Sequence, residues 1–149
     1  MKLLRELNDI SARGKAGIIP FTNVNGVITM LFMTASNAKF GGSDPMIAKG
    51  RIDGGETAAA AAVREGEEEL GLKRSNFKGA PFIGWKGELT GLDETYTMTV
   101  YAVEVKDPAD FDTPHYETDA VHWLTPEEFN QKGRKSQRAI VAAVVSKIR

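Results

Sequence analysis

The stretch from Thr57 to Gly71 constrains this chain more than any other. Thr57 is a good helix N-cap, the five alanines at 58–62 are the strongest helix formers, and Gly71 stands where a left-handed terminating residue is wanted. The spacing predicts a helix over 58–70. At about 100° per residue, Glu65, Glu68 and Glu69 fall within an arc of roughly 100°, and Ala59, Val63, Gly66 and Leu70 fall nearly opposite. The expectation is a helix with one core face and one acid face. Like charges three and four residues apart cost about 0.3 kcal/mol per pair, and these stand toward the negative end of the helix dipole. A divalent cation reverses that sign, and clustered carboxylate oxygens suit Mg²⁺ or Mn²⁺.

Strands are expected on both sides of this helix. AGIIPF and VITMLFM are rich in β-branched and large apolar residues and flank Asn25-Gly26, a strong hairpin signal. TASNAKFGGSDP reads as an irregular surface loop. FIGWKGEL and TYTMTVYAVEV read as two more strands, the second alternating Tyr96, Met98, Val100 and Ala102 against Thr97, Thr99, Tyr101 and Val103. After a long loop, DPADFDTPHYETD, comes a short strand, AVHWL, and a helix opening at TPEEF. There Thr125 caps, Pro126 takes the first position and Glu128 completes a capping box. Ile140, Val141, Val144, Val145 and Ile148 give the last helix an apolar stripe. Leu3, Leu4, Leu7 and Ile10 suggest a short helix or arm within 1–14. With no repeat or linker in 149 residues, 42% of them hydrophobic and 26% charged, a single α/β domain over 1–149 is expected.

Charge and cysteine content narrow the function. A net charge of −1 removes the simplest argument for a general nucleic-acid or anionic-membrane binder. The absence of cysteine excludes a disulfide framework, a thiol nucleophile and a thiolate-ligated metal. The N-terminus carries charges every few residues, which fits neither a secretory signal nor an anchor, and no apolar run approaches the ~20 residues of a membrane helix. The expectation is a soluble, cytoplasmic protein.

A run of three glutamates on a helix is also ordinary solvated surface, so the frame around it decides. In KGRIDGGETAAAAAVREGEEELGL, Gly50, Glu56, Arg64, Glu65, Glu68, Glu69, Gly71 and Leu72 fall at fixed spacing. The segment resembles the signature of the Nudix hydrolases: Gly, five residues, Glu, seven residues, Arg-Glu, an aliphatic, any residue, Glu-Glu, any residue, Gly, aliphatic. Gly66 stands where the family has an aliphatic residue. The resemblance implies an α/β/α sandwich with a mixed sheet between helices. It also implies Mg²⁺- or Mn²⁺-dependent attack of water on a diphosphate linkage in a nucleoside diphosphate derivative. It gives Glu65, Glu68 and Glu69 the metal-holding or water-activating roles, with Glu65 the expected base, and gives Lys49 a metal-ligating main-chain carbonyl. Arg64 matches the orienting arginine and Glu56 its partner. Glu117, with Asp119 and Glu94, lies in downstream loops where relatives place a further base or ligand. His115 and His122 are assigned to structure or surface.

Substrate choice lies outside the signature. IAKGRIDGGET looks like the Pro-Lys-Gly form of the box found in diadenosine polyphosphate, diphosphoinositol and some RNA 5′-end hydrolases, with Ala48 in place of the proline. Lys49 and Arg51, and also Arg134, Lys135 and Arg138, are candidates for extra phosphates. Tyr96, Tyr101, Trp85 and Phe40 are candidates for stacking on a base. The leading expectation is a dinucleoside polyphosphate hydrolase. Its alternatives are an RNA 5′-end hydrolase, an ADP-ribose or nucleotide-sugar hydrolase, and an inactive nucleotide-binding module. Monomer and homodimer both remain open.

Overall fold

Asn25 and Gly26 form the tight hairpin their pairing predicts. Both have positive φ, 54° and 84°, as a turn matched to strand twist requires, and they join β1 (Lys15–Val24) to β2 (Val27–Ala35). The structure, a computed structural model, describes residues 14–37, 43–90 and 95–149. The expected N-terminal helix or arm, Phe40 and Glu94 lie outside the described residues.

β1 pairs with β2 only over Phe21–Val24. Its Lys15–Ile18 edge is taken by β3 (Ala48–Arg51), a four-residue strand that the apolar patterning did not announce. β4 (Phe82–Thr90), β5 (Thr95–Glu104) and β6 (Thr118–Leu124) complete a six-stranded sheet of order β4-β5-β1-β2-β6, with β3 beside β1. β1 and β5 run parallel and the other pairs antiparallel, so the sheet is mixed. β6 starts two residues before the expected AVHWL, at Thr118.

Helix α1 (Ala58–Leu70) covers one face of the sheet, and α2 (Pro126–Lys132) with α3 (Arg138–Ile148) covers the other. This is the expected α/β/α sandwich. β5 shows why: Met98, Val100 and Ala102 enter the core under α3, while Tyr101 and Val103 enter the core under α1. Phe32 and Phe129 close the α2 side with ring centroids 4.2 Å apart. Among the described residues no helix is long and apolar enough to cross a membrane.

Both predicted helix starts form their caps. Thr57 Oγ1 accepts the Ala60 N–H at 3.1 Å. Thr125 Oγ1 accepts the Glu128 N–H at 3.2 Å, while Glu128 Oε1 accepts the Thr125 N–H at 2.9 Å. Gly71 ends α1 at φ 72°, and a Cβ there would collide with the Asp112 carbonyl.

The division of α1 into a core face and an acid face needs correction. α1 packs over β1 and β3 together, so it buries Ala61, Ala62 and Glu65 along with Val63, Gly66 and Leu70. The small alanines beside Glu65 let the helix settle close to the sheet. Gly66 serves the same end: a Cβ there would stand 2.8 Å from both Ile18 Cγ2 and Leu72 Cδ2. The volume of the missing aliphatic side chain is already filled.

Candidate active site

The site is a seam between the second half of α1 and the exposed edge of β3. Capping fixes the rotation of α1, and that rotation points Glu65 at β3. The Glu65 carboxylate lies directly over Gly50, in space that a side chain on Gly50 would occupy. One turn on, Glu69 Oε2 accepts the Lys49 N–H at 2.9 Å. In an antiparallel strand a residue's N–H and C=O point to the same side. The Lys49 carbonyl therefore faces the same edge, toward Glu69.

Arg64 binds the seam together. Its Nε and one terminal nitrogen grip Glu56 as a two-pronged fork at 2.8 and 3.0 Å, and its other terminal nitrogen donates to Glu65 Oε1 at 2.9 Å. The same guanidinium donates to the Arg51 carbonyl at 3.0 Å and lies 3.5 Å from Glu68 and 3.4 Å from Asp53. Glu56 is in turn oriented by the Asp53 N–H, 2.9 Å from its Oε1. Asp53 was missed in the sequence; its signal is its position three residues before Glu56, in the turn leading to the helix.

The electrostatics of these groups diverge. The Arg64 fork, and then the Asp53 N–H, hold the Glu56 carboxyl below the usual range. The same fork raises the Arg64 pKa further and keeps it charged. Burial pushes Glu65 up against the opposing pull of Arg64. Glu69 is pushed up to about 8, first by burial and then by the charge of Glu65. At both carboxyls burial outweighs the positive charge that Arg64 brings to Glu65 and Lys49 brings to Glu69, and a hard cation would make up the difference.

The loop before β6 caps the C-terminal end of α1. The His115 N–H donates to the Glu68 carbonyl at 2.7 Å, and Thr118 Oγ1 donates to the Glu69 carbonyl at 2.8 Å. That docking brings Glu117 close enough for its charge to act on Glu69. Asp119 stands apart and lines a separate 380 Å³ hollow with Thr34 and His122. The His115 ring rests on Tyr116, and His122 Nε2 lies 3.3 Å from Thr34 Oγ1.

The candidate substrate residues divide. Lys49 lies at the seam, and Arg51 follows it at the end of β3. Arg138 is engaged elsewhere, donating to the Gln131 and Gly133 carbonyls at 2.9 Å each at the C-terminal end of α2. Tyr101 and Trp85 pack into the core. Tyr96 packs against the α3 core, and its ring is covered by Lys15 Nζ at 4.3 Å. Lys15 went unremarked in the sequence, because only the register of β1 with β3 and β5 brings it here.

Known proteins share both the domain and the fold. The family model described as NUDIX domain matches residues 12–144. No curated protein sequence matches the chain. A C. elegans Ap4A hydrolase solved as a binary complex superposes with a TM-score of 0.73 at 17% identity, over 90% of this chain and 96% of that one. The M. smegmatis Nudix hydrolase RenU gives 0.72 at 19% identity, over 93% and 88%. The NUDIX domain of Shewanella oneidensis NrtR, complexed with ADP ribose, gives 0.67 at 14% identity, over 91% and 87%. At these identities the likeness is one of fold. The family match spans most of the chain and takes in the seam of α1 and β3: the chain belongs to the Nudix hydrolase family.

Proposed function

We propose that this chain is a Mg²⁺- or Mn²⁺-dependent pyrophosphohydrolase that cleaves a diphosphate linkage in a nucleoside diphosphate derivative, with dinucleoside polyphosphates as its preferred class. The observation that carries the reading is the placement of two acids on one strand edge: Glu69 on the Lys49 N–H, and Glu65 over Gly50. Among the described residues no three His, Asp or Glu side chains form a ready-made cation cage. The donor set nevertheless fits a hard divalent ion. Glu65 and Glu69 offer carboxylate oxygens with raised pKa, the Lys49 carbonyl shares their edge, and Glu68 stands one turn from Glu65. Such an ion, when bound, would supply positive charge to the phosphoryl oxygens and acidify water.

The chain's own residues do the rest. Arg64 and Glu56 lock the rotamers around Glu65. Gly50 leaves room for the Glu65 carboxyl, whose raised pKa suits it to take a proton from the attacking water. Glu117 is the second candidate for that proton, since the β6 loop holds it near Glu69. The choice of dinucleoside polyphosphates draws support from Lys49 beside the acids and from the fold shared with an Ap4A hydrolase.

The test is incubation with Mg²⁺ or Mn²⁺ and diadenosine polyphosphates, ADP-ribose, nucleoside triphosphates and 5′-triphosphate RNA, with products resolved by chromatography. Cleavage of the diadenosine polyphosphates ahead of the others is expected. Binding without turnover across the whole panel would overturn the reading in favour of a nucleotide-binding module.

A further inference from the structure

At Ile47 the segment leading into β3 changes its partner strand. Met46 exchanges both main-chain bonds with Met33 of β2, its N–H donating at 2.8 Å and its carbonyl accepting at 3.0 Å. Directly afterwards Ala48, Lys49 and Gly50 pair with Ile18, Gly17 and Ala16 of β1. The polar groups of successive residues in an antiparallel strand point alternately to its two sides. Lys49 turns its N–H away from β1, to Glu69, so Ala48 faces β1, and a regular strand would turn Met46 to β1 as well. Met46 faces β2 instead. The alternation is therefore broken between Met46 and Ala48, and the Ile47 N–H belongs to neither ladder.

Gln137 takes that donor. Its Oε1 accepts the Ile47 N–H at 2.8 Å, and the two residues are 3% and 1% exposed. A main-chain donor at such depth has no water to turn to if its acceptor is removed. Gln137 ends the short turn between α2 and α3, where its own N–H donates to the Arg134 carbonyl at 2.9 Å and the Arg134 N–H donates to the Pro45 carbonyl at 2.9 Å. One turn thus grips the incoming segment at Pro45 and at Ile47. Gly17 leaves room for the break on the β1 side, since a Cβ there would stand 3.0 Å from both Ile47 Cγ2 and the Ala48 carbonyl oxygen.

The break decides which edge β3 presents to α1. Regular alternation carried on from Met46 would turn the Lys49 N–H and carbonyl to β1 and bring those of Gly50 to the outer edge. We propose that Gln137 is a positioning residue for the reaction: by holding the Ile47 N–H it fixes the break, and so keeps the Lys49 main chain on the edge that Glu69 meets. Its effect on a bound cation and on turnover rests on the hydrolase reading above, but its hold on Lys49 does not.

The test compares the wild type with Gln137→Leu, which removes the acceptor at similar volume, and with Gln137→Glu, whose carboxyl keeps an oxygen in reach of the Ile47 N–H. The first readout is amide hydrogen exchange of the metal-free full chain by NMR. In Gln137→Leu the Ile47 and Lys49 amides should exchange about tenfold faster or more while those of β5 keep their protection, and Gln137→Glu should restore Lys49. Mn²⁺ affinity, titrated by calorimetry without substrate, should weaken about tenfold in Gln137→Leu and recover in Gln137→Glu. In turnover kcat should follow the same order with KM little changed. If Gln137→Leu does not fold, Gln137→Asn, which draws the amide back by one methylene, gives the same comparison. Unchanged exchange at Lys49 would overturn the proposal whatever the enzyme cleaves, and so would exchange that quickens throughout the sheet. Protection lost at Lys49 while Mn²⁺ affinity and kcat hold at wild-type values would overturn the positioning role. Protection lost at Lys49 in a chain whose wild type neither binds Mn²⁺ nor cleaves any nucleotide would sustain the hold of Gln137 on β3 and overturn the hydrolase reading alone.

Discussion

The Glu65 carboxylate occupies the space in which a side chain on Gly50 would begin, with Oε2 2.7 Å from where the Cβ would stand. The first glycine of the signature therefore acts as the seat of its central acid. Gly50→Ala forces either α1 away from β3 or Glu65 out of its place. The expected cost is about 1–3 kcal/mol of stability, as for other overpacked sites, and a loss of turnover on the order of 100-fold from misplacing a reacting group. Thermal melts and steady-state kinetics check the two together. Full activity in Gly50→Ala would show that Glu65 needs no such seat.

Arg64 and Glu56 act as one unit, because the fork at 2.8 and 3.0 Å needs a planar guanidinium facing a carboxylate. Arg64→Lys keeps the charge and loses the fork, so kcat is expected to fall on the order of 100-fold with KM little changed. Glu56→Gln should act in the same direction. The pair should be non-additive in a double-mutant cycle, the double variant being no worse than Arg64→Lys by itself. Additive losses would mean that the two side chains serve separate purposes.

Glu69 gives the metal-free protein a pH dependence of known sign. Its pKa in the fold is about 8 against an ordinary 4.5, so the folded chain holds that proton more tightly than the unfolded one. The stability it contributes is full below about pH 4.5 and is lost as pH rises through about 8. One group contributes at most about 1.4 kcal/mol per pH unit. Melting temperature in chelator is therefore expected to fall from pH 5.5 to 8.5 more steeply for the wild type than for Glu69→Gln. Mg²⁺ should recover the loss at high pH in the wild type, since a cation replaces the proton. Parallel profiles for the two proteins would remove Glu69 as the source.

Much of this was legible because it is local. The ends of α1 were readable from Thr57 and Gly71, whose caps depend on neighbours in sequence. The hairpin was readable from Asn25-Gly26, and the signature singled out Glu56, Arg64, Glu65 and Glu69 without showing the strand they meet. β3 was hidden because Ala48–Arg51 has no alternation; it is a strand only because β1 offers a free edge where β2 leaves it. The burial of Glu65 was hidden for a related reason. A helical wheel supposes one partner surface, and α1 has two, β1 and β3. Lys15 was hidden because its meeting with Tyr96 and Lys49 depends on the register of three strands far apart in sequence.

Gly66 departs from the family pattern, and its surroundings make it the better residue here. Helix propensity alone favours alanine by up to about 1 kcal/mol. A Cβ at this position meets Ile18 Cγ2 and Leu72 Cδ2 at 2.8 Å, and Ile18 is fixed on a central strand with no exposure. Overpacking of about 1–3 kcal/mol outweighs the propensity gain. Gly66→Ala is therefore expected to lose about 1 kcal/mol net, and Gly66→Ile, which installs the usual aliphatic side chain, to lose more. The clash has an identified partner, so Leu72→Ala should relieve part of it. In denaturant melts the double variant Gly66→Ala with Leu72→Ala should be more stable than the sum of the single losses predicts. A stabilised Gly66→Ala would mean that Ile18 and Leu72 yield at little cost, and that the glycine is not required by packing.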